Sequence, residues 1–239
     1  MLTPREQLIF ALDVPDSATA LSCVHELQDH VGLFKVGLEL FLAEGQGLLR
    51  ELADKIGAHR IFLDLKLYDI PATVLSAFKT IPAGVALVTV PSDLGPTALK
   101  RIVEGTAFKV LAVTVLTSMN GDDLRDLGFE AAYGQDPTSL VVRKAKMAQE
   151  AGCHGVVCSG REVKAVKDAC GRNFLAVCPG IRPAWSEVPG DDQKRIVTPF
   201  EAISNGADYI VVGRPIRQAH VQVAAARQVV EEIAMAQPT

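Results

Sequence analysis

The 239-residue sequence has no Cys-x-x-Cys pair and no apolar run approaching the ~20 residues that span a bilayer. Five cysteines, Cys23, Cys153, Cys158, Cys170 and Cys178, make an odd set that does not read as a disulfide framework. His25, His30, His59, His154 and His220 lack metal-ligand spacing, so no metal is expected. With 24 basic residues and a net charge of −4, the chain lacks the basic surface that nucleic acids demand. The opening MLTPREQLIFALDV carries charge ahead of a short strand-like run, unlike a signal peptide. No linker, low-complexity tract or charge block interrupts the chain. These absences point to one domain over residues 1–239, in the cytoplasm, whose partner is a small soluble metabolite rather than a membrane or a nucleic acid.

What is present is a large apolar fraction, 49%, distributed in eight short runs: LIFALDV, FKVGLEL, RIFLDLKL, VALVTV, FKVLAVTVL, HGVVCS, FLAVCPG and DYIVVGR. Nearly continuous apolar runs imply strands buried on both faces, as in a parallel sheet, and the segments between them have helix length and pattern. Eight such βα units in a chain of this size predict a single (β/α)8 TIM barrel, an α/β fold. Between the strands, 17–31 is expected to be a helix capped by Ser17, and 218–236 a helix with a Val/Ala stripe. Two connections exceed the usual loop, 117–139 after the fifth strand and 180–199 after the seventh. Both fall on the face where such barrels place catalysis.

FLDLKLYDIPATV, residues 62–74, carries Asp64, Lys66 and Asp69 in a run that otherwise reads as buried strand. Buried charges are costly unless paired. Strand alternation turns Asp64 and Lys66 to the barrel interior and Leu63, Leu65 and Leu67 to the helices, with Asp69 just past the strand end. Asp13 ends the first strand and Lys35 lies in the second, so an alternating array of Lys35, Asp64, Lys66 and Asp69 is expected at one rim, beside Asp13. Buried ionic networks stabilise poorly compared with apolar packing, which favours a chemical task for this one.

Across the rim, PGIRP places Arg182 after the seventh strand and VVGRPI places Gly213 and Arg214 after the eighth, with Gln193 on the long loop between. Loops seven and eight are the habitual phosphate site of this fold, and a guanidinium fork matches phosphate oxygens.

These residues, with AVTVLTSM (112–119), GVVCS (155–159) and GDDQKRIVTP (190–199), resemble the bacterial type of orotidine 5′-phosphate decarboxylase over nearly the whole chain. The resemblance implies a cofactor-free homodimer. It implies that Asp13 and Lys35 hold ribose hydroxyls, that Asp64 lies beside the substrate carboxylate, and that Lys66 donates the proton. Asp69, Ile70 and Thr73 would enter the neighbouring subunit's site. Thr117 or Ser118 would read the pyrimidine, Arg182, Gln193 and Arg214 would clamp the phosphate, and residues 183–192 would close over it. One departure stands out: TVPSDLGP places Pro91 where the family pattern leads one to expect His. Three readings compete with this one. A Mg²⁺-dependent decarboxylase or aldolase acting on a sugar phosphate would need free carboxylates. A Schiff-base aldolase would need a nucleophilic lysine, for which an ammonium flanked by carboxylates is poorly suited. A nucleotide-binding sensor would share the binding residues.

Overall fold

The computed structural model describes residues 2–186 and 197–237. Eight parallel strands close into a barrel in chain order: β1 (Leu8–Ala11), β2 (Leu33–Val36), β3 (Ile61–Leu63), β4 (Leu87–Pro91), β5 (Lys109–Val113), β6 (Gly155–Val157), β7 (Leu175–Cys178) and β8 (Tyr209–Val212). All eight strand expectations hold, although the runs extend past the paired residues; LIFALDV stops pairing at Ala11 and FKVLAVTVL at Val113. FKVGLEL stops pairing at Val36, and Leu38 already opens a helix. RIFLDLKL stops at Leu63, so Asp64 and Lys66 belong to the loop rather than the strand. The physical reason is local: Lys66 takes a left-handed backbone, φ 50°, which cannot continue an extended ladder.

Several helices begin where the sequence can satisfy free N–H groups. Thr3 and Glu6 form a reciprocal capping box on α1 (Pro4–Gln7). Asp16, not Ser17, caps α2 (Ser17–Leu27), its carboxylate accepting from the Thr19 N–H at 2.8 Å. The carboxylate is the stronger acceptor, and Ser17 is left as the first helical residue. Next come α3 (Leu38–Ile56), broken at Gly45 where φ is 65°, then α4 (Pro71–Phe78) and α5 (Pro96–Glu104). The latter two start on prolines, which need no N–H partner there. The long connection after β5 folds into α6 (Gly121–Asp126) and α7 (Ala131–Gln135) before α8 (Pro137–Glu150). The chain finishes with α9 (Val163–Cys170), α10 (Pro199–Ser204), α11 (Arg214–Arg217) and α12 (Gln222–Met235). Among the described residues no helix is long and apolar enough to cross a membrane.

Alternation sorts the core into two layers. Ile9, Ala11, Leu33, Phe62, Leu87, Leu111, Val113, Val157, Val177 and Val211 fill the barrel, while Phe10, Phe34, Leu63, Val88 and Ile210 join the helices in the outer layer. Leu65 and Leu67 pack on the outer layer as expected. The interior is thus plugged by apolar side chains below, and the charged groups Asp13, Lys35, Asp64 and Lys66 collect at its C-terminal mouth.

Candidate active site

The register of β1, β2 and β3 decides how the charges meet. Ala11 pairs with Lys35, and Lys35 pairs with Phe62, so the lysine lies between the strand that leads to Asp13 and the one that leads to Asp64. Lys35 Nζ donates to Asp13 Oδ1 at 2.9 Å and lies 3.9 Å from Asp64 Oδ2, while Lys66 Nζ donates to Asp64 Oδ1 at 2.9 Å. The result is a continuous line of alternating charge, Asp13–Lys35–Asp64–Lys66. Its two middle members are nearly enclosed, with side-chain exposures of 11% and 13%. Removing either would leave its neighbours uncompensated, a cost of about 3–5 kcal/mol for a buried pair.

Gly37 makes room for this line: a Cβ there would lie 2.9 Å from Lys35 Nζ and 3.0 Å from Asp13 Oδ1. The left-handed backbone at Lys66 costs on the order of 1–3 kcal/mol for a residue other than glycine, a strain that clusters at functional sites.

Two participants escaped sequence reasoning. Thr89, buried in β4, donates from Oγ1 to Asp64 Oδ1 at 3.0 Å, and the same oxygen accepts from the Lys66 N–H at 2.9 Å. It therefore aims the carboxylate and holds the strained turn together. Its one signal was a hydroxyl at an inward position of VALVTV. The other is Arg217, which donates to the Asp13 carbonyl and lines the cavity; its signal was a second arginine three residues past Arg214 on the same helical face.

The cavity, about 330 Å³, is lined by Asp13, Lys35, Asp64 and Lys66 on one side. Thr117 and Ser118 line it after β5, Arg182 after β7, and Gly213, Arg214 and Arg217 after β8. Nine residues singled out from the sequence are thereby gathered, except that the fourth member of the charged line is Asp13 rather than Asp69. Asp69 is exposed, accepts from the Ile70 N–H at 2.6 Å, and makes no ion pair among the described residues. Pro71 starts α4 two residues later, and residues 68–70 ahead of it are all exposed. Ile70 and Thr73 are exposed with it and do not line the cavity of their own chain. Gln193, and residues 187–192 of the expected closing segment, lie outside the described residues.

Around the long connection after β7, Ile181 and Val197 form a parallel bridge and the Arg182 N–H donates to the Val197 carbonyl at 3.0 Å. This stem fixes where Arg182 leaves the barrel. Trp185 is tied to α12, its indole N–H donating to Glu232 Oε1 at 3.0 Å. Pro91 ends β4, a position where a missing N–H costs little, and leads into a 3-10 turn at Ser92–Leu94.

The cysteines are all buried free thiols, in keeping with packing roles. Burial pushes Cys153 up to about 12, and a hydrogen bond with Cys158 together with burial pushes Cys178 well up. Such thiols are poor nucleophiles.

Residues 6–229 match the family described as Orotidine 5′-phosphate decarboxylase / HUMPS. The chain is 49% identical over 233 residues to the orotidine 5′-phosphate decarboxylase of Desulfosudis oleivorans, covering 96% of this chain and 94% of the relative. It is 44% identical over 241 residues to that of Syntrophus aciditrophicus, covering 96% and 93%. Among solved structures, the orotidine 5′-phosphate decarboxylase of Lactobacillus acidophilus superposes with a TM-score of 0.78 at 35% identity, covering 95% of this chain and 98% of that one.

Proposed function

The chain belongs to the orotidine 5′-phosphate decarboxylase / HUMPS family, and from that membership we propose that it converts orotidine 5′-monophosphate to UMP, the last step of de novo pyrimidine synthesis, without a cofactor and in the cytoplasm. The observation that carries the reading is the charge balance of the cavity. Its described lining holds five cationic side chains, Lys35, Lys66, Arg182, Arg214 and Arg217, against two carboxylates, Asp13 and Asp64. A phosphate of charge about −2 together with one carboxylate complements that excess.

Loss of CO2 from C6 leaves the bonding electron pair on the ring, which offers no ordinary sink. Lys66, fixed by Asp64 at 2.9 Å, supplies a preorganised positive charge where that pair develops and then delivers a proton to C6. Asp64 beside the departing carboxylate adds repulsion that vanishes as neutral CO2 forms. Binding energy from the remote phosphate, held by Arg182, Gln193 and Arg214, opposes that repulsion in the ground state. Asp13 and Lys35 take the ribose hydroxyls, and Thr117 or Ser118 the pyrimidine; closure of residues 183–192 excludes water.

A metal-dependent sugar-phosphate reaction fits less well. It needs a carboxylate free for a cation, whereas Asp64 Oδ1 accepts from both Lys66 and Thr89 and Oδ2 faces Lys35.

The site is completed in a homodimer by Asp69, Ile70 and Thr73 of the neighbouring subunit. In support, Tyr68, Ile70 and Leu127 are large apolar side chains left more than 60% exposed, at 68%, 67% and 65%. The test is a continuous absorbance assay of orotidine 5′-monophosphate in EDTA. Wild type should turn over and Lys66→Ala should lose about 10⁴-fold or more in kcat. Mixing Lys66→Ala with Asp69→Ala should restore about a quarter of wild-type activity, because half the dimers then carry one intact site. Activity lost to EDTA would instead favour the metal-dependent reaction, and tight UMP binding without turnover a sensor.

A further inference from the structure

Among the described residues Lys144 is the most enclosed cation outside the active-site cavity, on the inner face of α8 with 8% exposure. An ammonium has three donors, and here all three are used. Two go to Asp93, at 2.8 Å to Oδ1 and 3.0 Å to Oδ2, and the third goes to the Thr114 carbonyl at 3.0 Å. The same Nζ lies 5.2 Å from the centre of the Phe129 ring, within cation–π range.

Each of those partners sits on a different piece of the catalytic face. Asp93 belongs to the turn that Pro91 introduces after β4, Thr114 follows the last residue of β5, and Phe129 lies in the excursion between α6 and α7. Thr114 is held from the other side too, its Oγ1 donating to the Val157 carbonyl at 2.9 Å. From Thr114 the chain runs directly through Val115 and Leu116 to Thr117 and Ser118, all of which line the active-site cavity. A second cavity of about 400 Å³, lined by Lys66, Pro91, Asp93, Val115, Phe129 and Lys144, separates this ion pair from the catalytic lysine.

We infer that Lys144 is a positioning residue: its bonds to Asp93 and Thr114 clamp the loops after β4 and β5 and set where Thr117 and Ser118 meet the substrate's pyrimidine. A buried ion pair is a poor way to gain stability, since apolar residues of the same volume serve as well. What it adds is geometry, three directed bonds that admit one arrangement of two neighbouring loops. The inference rests on the pyrimidine nucleotide reading above.

The test compares two ligands by calorimetry, UMP and the base-free ribose 5-phosphate, on wild type, Lys144→Met and Asp93→Asn. Lys144→Met should weaken UMP about 10-fold to 100-fold while ribose 5-phosphate changes less than about 2-fold, and the loss in kcat/KM should appear mainly in KM. Asp93→Asn keeps the bond to Thr114 and should show the same selectivity at several-fold, which carries the test should Lys144→Met fail to fold. Equal loss of both ligands, or retention of UMP affinity, would overturn the role of Lys144. A wild type that binds UMP no better than ribose 5-phosphate would instead overturn the substrate reading.

Discussion

The two sides of the barrel mouth solve the problem of buried charge in opposite ways. On the side of β1 to β4, every charge in the cavity has an opposite neighbour within the chain: Asp13, Lys35, Asp64 and Lys66 neutralise one another along one line, with Thr89 supplying a further donor. On the side of β7 and β8 the described lining contributes Arg182, Arg214 and Arg217 and no carboxylate. The first side is built before substrate arrives, as electrostatic catalysis requires, because dipoles and charges already in place need no reorganisation during the reaction. The second is an excess of one sign, suited to gripping an anion and steering it inward. On the proposed function, chemistry and binding energy fall to different halves of one rim.

Substitutions on each side should therefore fail differently. Asp64→Asn strikes the self-neutralised side and should have the larger effect, lowering kcat by roughly 10³-fold while UMP affinity holds or improves. Steady-state kinetics beside UMP titration decides this; equal losses in both would remove the support for ground-state repulsion. Arg214→Ala strikes the cationic side. A lost charged hydrogen bond of about 1.5–3 kcal/mol should weaken UMP roughly 10-fold to 150-fold, raise KM, and flatten the dependence of kcat/KM on ionic strength. Smallest is Thr89→Val, which keeps the shape but leaves the Lys66 N–H unsatisfied and takes one donor from Asp64. It should cost about 1–3 kcal/mol of stability, read by denaturant unfolding, and lower kcat more than it raises KM.

Much of this was legible without coordinates, for identifiable reasons. The barrel announces itself because parallel strands buried on both faces must be largely apolar, as in the LIFA of LIFALDV and the YIVV of DYIVVGR. Charges at strand ends are conspicuous against such a background, which is why Asp13, Lys35, Asp64, Lys66, Arg182 and Arg214 could be named. Thr89 could not, because a threonine in a strand is unremarkable until its hydroxyl is seen between Asp64 and Lys66. The misplacement of Asp69 in its own chain's array has a similar origin. Five residues of sequence separation from Asp64 say nothing of the turn at Tyr68–Ile70 that points it outward.

The sequence by itself determined the layered barrel, the mouth on which polar residues gather and the sign of charge each strand brings there, because these follow from periodicity along one strand at a time. Only the tertiary structure decided which charge neutralises which. Lys35 pairs with both Asp13 and Asp64 because the registers of β1 to β2 and β2 to β3 set it between them, and Lys144 reaches Asp93 across 51 residues because α8 packs beside the turn after β4. Register and helix docking arise from the packing of many apolar side chains at once, and no local pattern encodes them.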